Sequence, residues 1–330
     1  MSRSNDGKPT MKDVAAEAGV ALGTVSKVIN GINVGEEYRL KVEAAIRKLN
    51  YQVNTYARGL KTSKTNCLAL IIPNARNPYF ASLVNEVTRA AGERKYRLLL
   101  CCSEYDYARE QDLIDMAHRN QVDGIIGLTY NPNLVVPEGL PFIAIDRYLG
   151  PGIPCVSSDN YGGGRMAAEK LMALGCSRLL FMRIGSSLTN EPNRRKDGFI
   201  SACEAHGVRY DMKILGDGEP LELFRQYLQE HLSDGHLDYD GIFCVTDFLA
   251  WRVTGMLREM GLKVPEQVQV IGFDGVRMFG DQEYICSTIV QPVREIAEMC
   301  VDLLTAENLD HKPSQVCLPV QYACGGTTNA

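Results

Sequence analysis

Six residues in one short stretch, Leu22, Gly23, Thr24, Ser26, Lys27 and Asn30, place small, hydroxyl, amide and cationic groups on one expected helix face. Such a face suits one kind of chemistry, hydrogen bonding and methyl contact with base edges in a DNA groove. Between them Val25, Val28 and Ile29, at spacings of 3 and 4, supply a buried stripe. Upstream, Thr10 is suited to cap a helix by accepting a backbone N–H, and Val14 and Ala15 offer it a small apolar face. Gly19 suits the left-handed end of that helix, and the alanines at 15, 16 and 18 allow close helix approach. Residues 10–30 therefore read as a helix-turn-helix whose second helix enters the major groove, with an ordinary helical hairpin as the alternative. A third helix over residues 36–49, with Leu40, Ala44, Ile46 and Leu49, would close a headpiece.

A second set of chemically able residues is acidic. Asp146 ends the apolar run beginning at Phe142, and Asp274 ends the run beginning at Val270. Two carboxylates at the ends of buried strands would share one cleft rim and accept ligand hydroxyls; capping of the strand ends is the competing role. Asp247, after the run 243–246, is placed to do the same or to cap the helix that follows. The elements that must position these groups are legible in outline. Apolar runs at 67–73, 97–102, 124–128, 141–145, 178–183, 241–245 and 268–272 alternate with helix-length stretches at 79–94, 107–119, 162–174, 192–206, 220–233 and 247–260. That alternation predicts parallel sheets covered by helices, and the number of units predicts two Rossmann-like subdomains. Ligands of such open sheets bind beyond the carboxyl ends of the strands.

Enzyme readings find little support. Gly162, Gly163 and Gly164 form the dense glycine cluster, which is not a dinucleotide fingerprint, and no phosphate loop occurs. The cluster would instead let a helix start close to the cleft. The 5 histidines lack a matching acid or nucleophile, and the 11 cysteines show no CxxC or zinc-like spacing. Most cysteines read as small buried hydrophobes of a reducing compartment, with neighbouring Cys101 and Cys102 on opposite strand faces. No catalytic residue, metal or cofactor is expected. The net charge of −5 argues against nucleic acid until the chain is divided: residues 1–62 hold 10 Lys/Arg against 6 Asp/Glu, the rest 25 against 34. A cationic headpiece on an acidic body approaches phosphates while its body resists indiscriminate adhesion. No leader pattern opens the chain and no run approaches ~18 apolar residues, so a cytoplasmic, nucleoid-associated protein without membrane contact is expected.

The chain resembles the lactose repressor/galactose repressor (LacI/GalR) family of bacterial regulators. The resemblance rests on Lys12-Asp13-Val14-Ala15, Gly19-Val20, residues 24–31, Leu49-Asn50-Tyr51, Asn54 and residues 57–62, and continues along nearly the whole chain. Residues 1–9, rich in Ser, Asn, Asp and Gly, read as a disordered tail, and the resemblance implies a headpiece over 10–53, a hinge helix over 54–62 and an effector-binding, dimerising body over 63–330. That body would have the periplasmic-binding-protein type I architecture, with three crossings near residues 160, 290 and 320. One subdomain would then span 63–160 and 291–320, the other 161–290 and 321–330. The resemblance further implies a homodimer on palindromic operator DNA, in which Leu60 wedges into the minor groove. Thr10, Tyr51 and Asn54 join the exposed face of the second helix in the DNA-binding set, and Arg58 and Lys61 serve phosphates. For the cleft it implies Tyr79 and Phe80 over the ligand and Arg195 reaching in; core packing is the competing role for Phe80. The effector would be a sugar or sugar derivative, with a nucleobase or nucleoside as the other possibility. The sequence departs from the family at Ala21, where a Ser usually caps the second helix, at Gly23, which offers no side chain, and at Val53, which replaces a proline before the hinge.

Overall fold

The computed structural model describes residues 9–29, 31–51, 64–131, 133–185, 191–216, 218–278, 283–306 and 313–329. The expected tail through residue 8, Asn30, and the hinge segment with Asn54, Arg58, Leu60 and Lys61 lie outside the described residues. The chain divides into two units, residues 1–65 and 66–330.

In the first unit, α1 (Met11–Ala18), α2 (Leu22–Ile29) and α3 (Glu36–Lys48) surround a core of Val14, Ala15, Val25, Val42 and Ala45. Thr10 caps α1 in a reciprocal box: its hydroxyl accepts from the Asp13 N–H at 3.4 Å, and the Asp13 carboxylate accepts from the Thr10 N–H at 2.7 Å. Gly19 ends α1 at φ +65°, which turns the chain into α2. Lys48 reaches Glu17 at 2.6 Å and ties α3 to α1. The third helix closes the headpiece with two of the four expected residues, Ile46 and Leu49. Leu40 is 51% exposed and Ala44 is also exposed, whereas Val42, Ala45, Ile46 and Leu49 turn inward. Starting from Val42, the 3, 4, 7 spacing selects one continuous stripe, and Leu40 falls outside it.

In the second unit, β1 (Cys67–Ile72), β2 (Arg97–Cys102), β3 (Gly124–Gly127), β4 (Phe142–Ile145), β5 (Cys155–Ser158) and β13 (Gln315–Leu318) form one sheet. Its order is β13-β5-β4-β3-β1-β2, parallel throughout. A second sheet holds β6 (Arg178–Ile184), β7 (Arg209–Leu215), β10 (Gly241–Cys244), β11 (Gln269–Asp274), β12 (Ser287–Val290) and β14 (Gln321–Ala323). Here the order is β14-β12-β11-β10-β6-β7, with β14 antiparallel to β12. A small hairpin, β8 (Leu232–Ser233) with β9 (His236–Leu237), stands apart. The chain passes between the two large sheets three times: between β5 and β6, between β12 and β13, and between β13 and β14.

The covering helices are α4 (Pro78–Glu93), α5 (Tyr107–Arg119), α6 (Asn160–Ala173), α7 (Arg194–His206), α8 (Glu222–Glu230), α9 (Asp247–Glu259) and α10 (Val293–Thr305). β1 shows why the first sheet needs helices on both faces. Leu68, Leu70 and Ile72 pack with Leu83, Val87 and Val301 of α4 and α10, while Ala69 and Ile71 pack with Ile114 and Ala117 of α5. Cys101 and Cys102 follow the same alternation, one in each cluster. Seven described cysteines are buried, and burial pushes the thiol of Cys101 up to about 11 and that of Cys176 to about 12, so both remain protonated packing groups; Cys317 and Cys324 are exposed. Among the described residues no helix is long and apolar enough to cross a membrane.

Candidate functional site

In the second unit, a cavity of about 770 Å³ opens beyond the carboxyl ends of the parallel strands, lined from both sheets. From the first sheet come Tyr79 and Phe80 at the start of α4, Tyr130 after β3 and Asp146 after β4; from the second come Arg183, Val245 and Asp274. The turn before α4 is built by Asn74, whose side-chain oxygen accepts from Arg76 N–H at 2.9 Å and Asn77 N–H at 3.0 Å. Asn77 then caps the helix by accepting from Tyr79 N–H at 2.9 Å, with Pro78 in the first turn. The result aims Tyr79 and Phe80 at the cavity, their rings 5.8 Å apart and tilted by 59°. Both also belong to the core cluster of the first sheet, so Phe80 plays packing and lining roles together. The Tyr79 hydroxyl is buried without a protein hydrogen-bond partner. Burial, reinforced by Asp146 and Asp274, holds it far above the usual phenol range, so it remains a donor.

Asp146 and Asp274 occupy corresponding positions in the two sheets, each just past or at the end of a buried strand. Asp146 sits at φ +57° and is 5% exposed; Asp274 sits at φ +135° and is 7% exposed. Non-glycine residues hold such angles at a cost of about 1–3 kcal/mol. Asp274 belongs to a ring of polar contacts, four hydrogen bonds closed by one ion pair. Gln291 donates from Nε2 to Asp274 Oδ1 at 2.8 Å and accepts from the Ser158 hydroxyl at 2.8 Å. Asn160 donates to the Ser158 carbonyl at 3.0 Å and accepts from Arg195 Nε at 2.7 Å. Arg195 completes the ring, with Nη1 3.7 Å from Asp274 Oδ1 and 2.7 Å from the Val245 carbonyl that it donates to. Its guanidinium lies 3.6 Å from the centre of the Phe273 ring. All five members are buried. Ser158 and Asn160 mark the first crossing and Gln291 the second, so the ring joins the crossings to the cleft. Sequence reasoning missed Ser158, Asn160 and Gln291; the available signal was a polar side chain at or just past the ends of β5 and β12.

Asp247 does not line this cavity. Its Oδ2 accepts from the N–H groups of Gly275 and Val276 at 2.8 and 2.7 Å, and Cys286 Sγ approaches Oδ1 at 3.5 Å. It anchors the loop after β11, and the cap of α9 is Thr246, which accepts from Leu249 N–H at 3.3 Å. The glycine cluster also has another purpose. A Cβ on Gly164 would lie 2.0 Å from the Arg195 carbonyl oxygen, and one on Gly198 would lie 2.0 Å from that of Tyr161. These glycines let α6 and α7 cross backbone to backbone, which sets where Arg195 enters the cavity.

Burial pushes the Asp274 carboxyl up to about 8, against the lowering pull of Arg195. Between ~3.9, the value of an exposed aspartate, and that raised value, the folded state holds a proton that the unfolded chain has lost. The contribution of Asp274 to stability is therefore full at acid pH and declines as pH rises toward 8. Asp274→Asn keeps the Gln291 contact and removes the titration. Its melting temperature should fall less than that of the wild type between pH 5 and pH 8, the two slopes differing by a few degrees. Parallel slopes in calorimetry would show that Asp274 does not titrate in that range.

In the first unit, Leu22, Gly23 and Lys27 are exposed on α2, Thr24 and Ser26 are half-buried, and a Cβ on Gly23 would meet nothing. Thr10 is engaged in its capping box, and Tyr51 is half-buried against the headpiece core. Residues 10–54 match the bacterial regulatory proteins of the lacI family, and residues 65–303 match the periplasmic binding proteins and sugar binding domain of that family.

The chain belongs to the LacI family.

It is thus a DNA-binding transcriptional regulator and not an enzyme. The LacI-family chain is 34% identical to the sucrose operon repressor of Pediococcus pentosaceus, covering 97% of this chain and 99% of that one. It is 32% identical to the ribose operon repressor of Escherichia coli K12, over 89% and 92% of the two chains. Among solved structures, the lac repressor dimer bound to operator and the anti-inducer ONPF shares its fold with a TM-score of 0.82 at 21% identity, covering 98% and 100%. The transcriptional regulator CelR in complex with cellobiose aligns with a TM-score of 0.65 at 28% identity, covering 97% and 100%.

Proposed function

We propose that this LacI-family regulator is a homodimeric repressor of carbohydrate-utilisation genes, acting on nucleoid DNA in the cytoplasm and controlled by a sugar held in the cleft of its body. The observation that carries the reading is the cleft itself. Two strained carboxylates, a buried unpartnered tyrosine hydroxyl and aromatic faces together suit a ligand with many hydroxyls and apolar C–H faces. The names of similar proteins, sucrose and ribose operon repressors among them, favour a sugar over a nucleobase. In this reading Tyr79, Phe80, Asp146, Arg195 and Asp274 serve the effector, Arg195 chiefly by positioning Asp274. On the DNA side Leu22, Thr24, Ser26, Lys27 and Asn30, on the face that also holds Gly23, read base edges. Thr10, Tyr51, Asn54, Arg58 and Lys61 support them at the backbone, and Leu60 is the minor-groove wedge. Gly23 narrows direct readout to its neighbours, because it carries no group to reach a base.

The proposed switch is mechanical. A hinge helix of eight or nine residues is too short to be stable alone in water, and Gly59 weakens it by up to ~1 kcal/mol, so it folds only with DNA and its dimer mate. A change in angle between the two subdomains on sugar binding alters hinge spacing and releases or tightens that grip. Selection from randomised duplex DNA with the full chain tests the reading. Wild type should enrich a palindrome, and a cognate sugar should change that enrichment. Leu60→Ala should lose about tenfold or more in specific affinity while low-salt nonspecific binding persists. Equal loss of both modes would remove the wedge assignment, and enrichment indifferent to every sugar would remove the effector assignment.

A further inference from the structure

The cavity has two chemically different ends. Its floor is buried and polar, formed by Asp146, Asp274 and Arg195 at 5%, 7% and 3% exposure. Its rim is aromatic and open: Tyr105 is 56% exposed and Tyr107 41%, and both line the same cavity. Tyr130 stands between the two ends, with its ring 6.3 Å from that of Tyr105 and its hydroxyl within electrostatic reach of Asp146. Two exposed rings on the rim of one cavity form the kind of grouped apolar surface that marks a ligand-binding groove.

This rim is built rather than accidental. Glu104 and Tyr105 both hold left-handed φ angles, +54° and +62°, which ordinary side chains rarely adopt in succession. Asn74, the residue that shapes the turn before Tyr79, also donates to the Tyr105 hydroxyl at 3.5 Å. Asn131 donates to the Tyr107 carbonyl at 3.1 Å, and its own N–H is held by Thr129 at 3.2 Å. Thr129 in turn donates to the buried carboxylate of Glu110, one turn into α5. The Tyr105 side chain and the Tyr107 backbone at the start of α5 are thus held before any ligand arrives, which lowers the ordering cost of binding.

Resting on the sugar reading of the cleft, we propose that Tyr105, Tyr107 and Tyr130 form an outer subsite for a second sugar ring, so that the effector is a neutral disaccharide. At about 770 Å³ the cavity lies in the ~300–1,000 Å³ range of small-molecule sites and takes in both the polar floor and the aromatic rim. A second ring reaches the rim and covers the tyrosine faces with its C–H surface. The floor suits a neutral ligand, because Asp146 and Asp274 offer carboxyl oxygens to hydroxyls and Arg195 is already committed to Asn160, Val245 and Asp274.

Calorimetric titration of the full chain with sucrose, maltose, cellobiose, trehalose and melibiose, and with their component monosaccharides and hexose phosphates, tests this directly. One disaccharide should bind about tenfold or more tighter than either of its components. In Tyr105→Ala/Tyr107→Ala that ratio should fall to about 1, whereas Tyr105→Phe/Tyr107→Phe, which keeps the rings, should retain most of it. A monosaccharide or sugar phosphate that binds as tightly as any disaccharide overturns the outer subsite alone. A double alanine variant that weakens both sugar sizes equally does the same. Absence of binding by every neutral sugar overturns the sugar reading of the cleft and the subsite with it.

Discussion

Arg195→Ala is expected to unfold the body at a temperature on the order of 10 °C lower and to weaken effector binding about a hundredfold or more. The guanidinium is 3% exposed and has four neighbours at once: Asn160, the Val245 carbonyl, Asp274 and the face of Phe273. Each buried polar group left without its partner typically costs about 1–3 kcal/mol, and the Asp274 carboxyl loses the cation beside it. Here two acceptors lose a donor as well. Arg195→Lys keeps the charge but cannot span Asn160 and Val245 while stacking on Phe273, so it should recover only part of the loss. Thermal unfolding of both variants, followed by titration with the sugar that binds wild type, separates the stability effect from the affinity effect. A melting curve for Arg195→Ala that overlays the wild type would mean that the ring from Ser158 to Asp274 is open in solution.

The second large effect is expected at a residue with no side chain. Gly164→Ala would place a methyl group 2.0 Å from the Arg195 carbonyl oxygen. That neighbour is backbone, so no rotamer change relieves the clash, and α6 and α7 must move apart by about an ångström. A loss of roughly 3 kcal/mol follows, with weaker effector binding because Arg195 shifts with its helix. Gly255→Ala is the matched control: it lies within α9, and its added methyl meets no atom within 4 Å. It should hold or raise the melting temperature, since alanine in a helix interior is favoured by about 1 kcal/mol over glycine. If the two substitutions melt alike, the close crossing of α6 and α7 is not what requires glycine at 164.

These two residues also show where reading the sequence stops. The strands β1, β2, β3, β4, β6, β10 and β11 coincide with apolar runs seen beforehand, because buried parallel strands are apolar on both faces. The strand β7 was missed because it is an edge strand whose charged Arg209, Asp211 and Lys213 break the apolar pattern. Other strands escaped because polar residues interrupt short runs, as in β5, β12, β13 and β14. The helix α10 was missed between β12 and the last strands. The stretch expected to be helical over 220–233 stops at Glu230, where the chain turns into the β8–β9 hairpin.

What the sequence alone determined is what operates within a turn or a strand. The helix-turn-helix, its Thr10 cap and Gly19 turn, the parallel α/β body and the two acidic strand ends all depend on neighbours a few positions away. Only the tertiary structure decided which polar groups meet. Ser158 and Gln291 are 133 positions apart, and Arg195 and Asn160 are 35 apart, yet all four belong to one ring around Asp274. Only there does Asp247 become a loop anchor while Asp146 and Asp274 face the cavity, although all three follow apolar runs of similar appearance. The physical reason is that a buried carboxylate must find its donors wherever the packed backbone places them, and that placement depends on how α6 crosses α7.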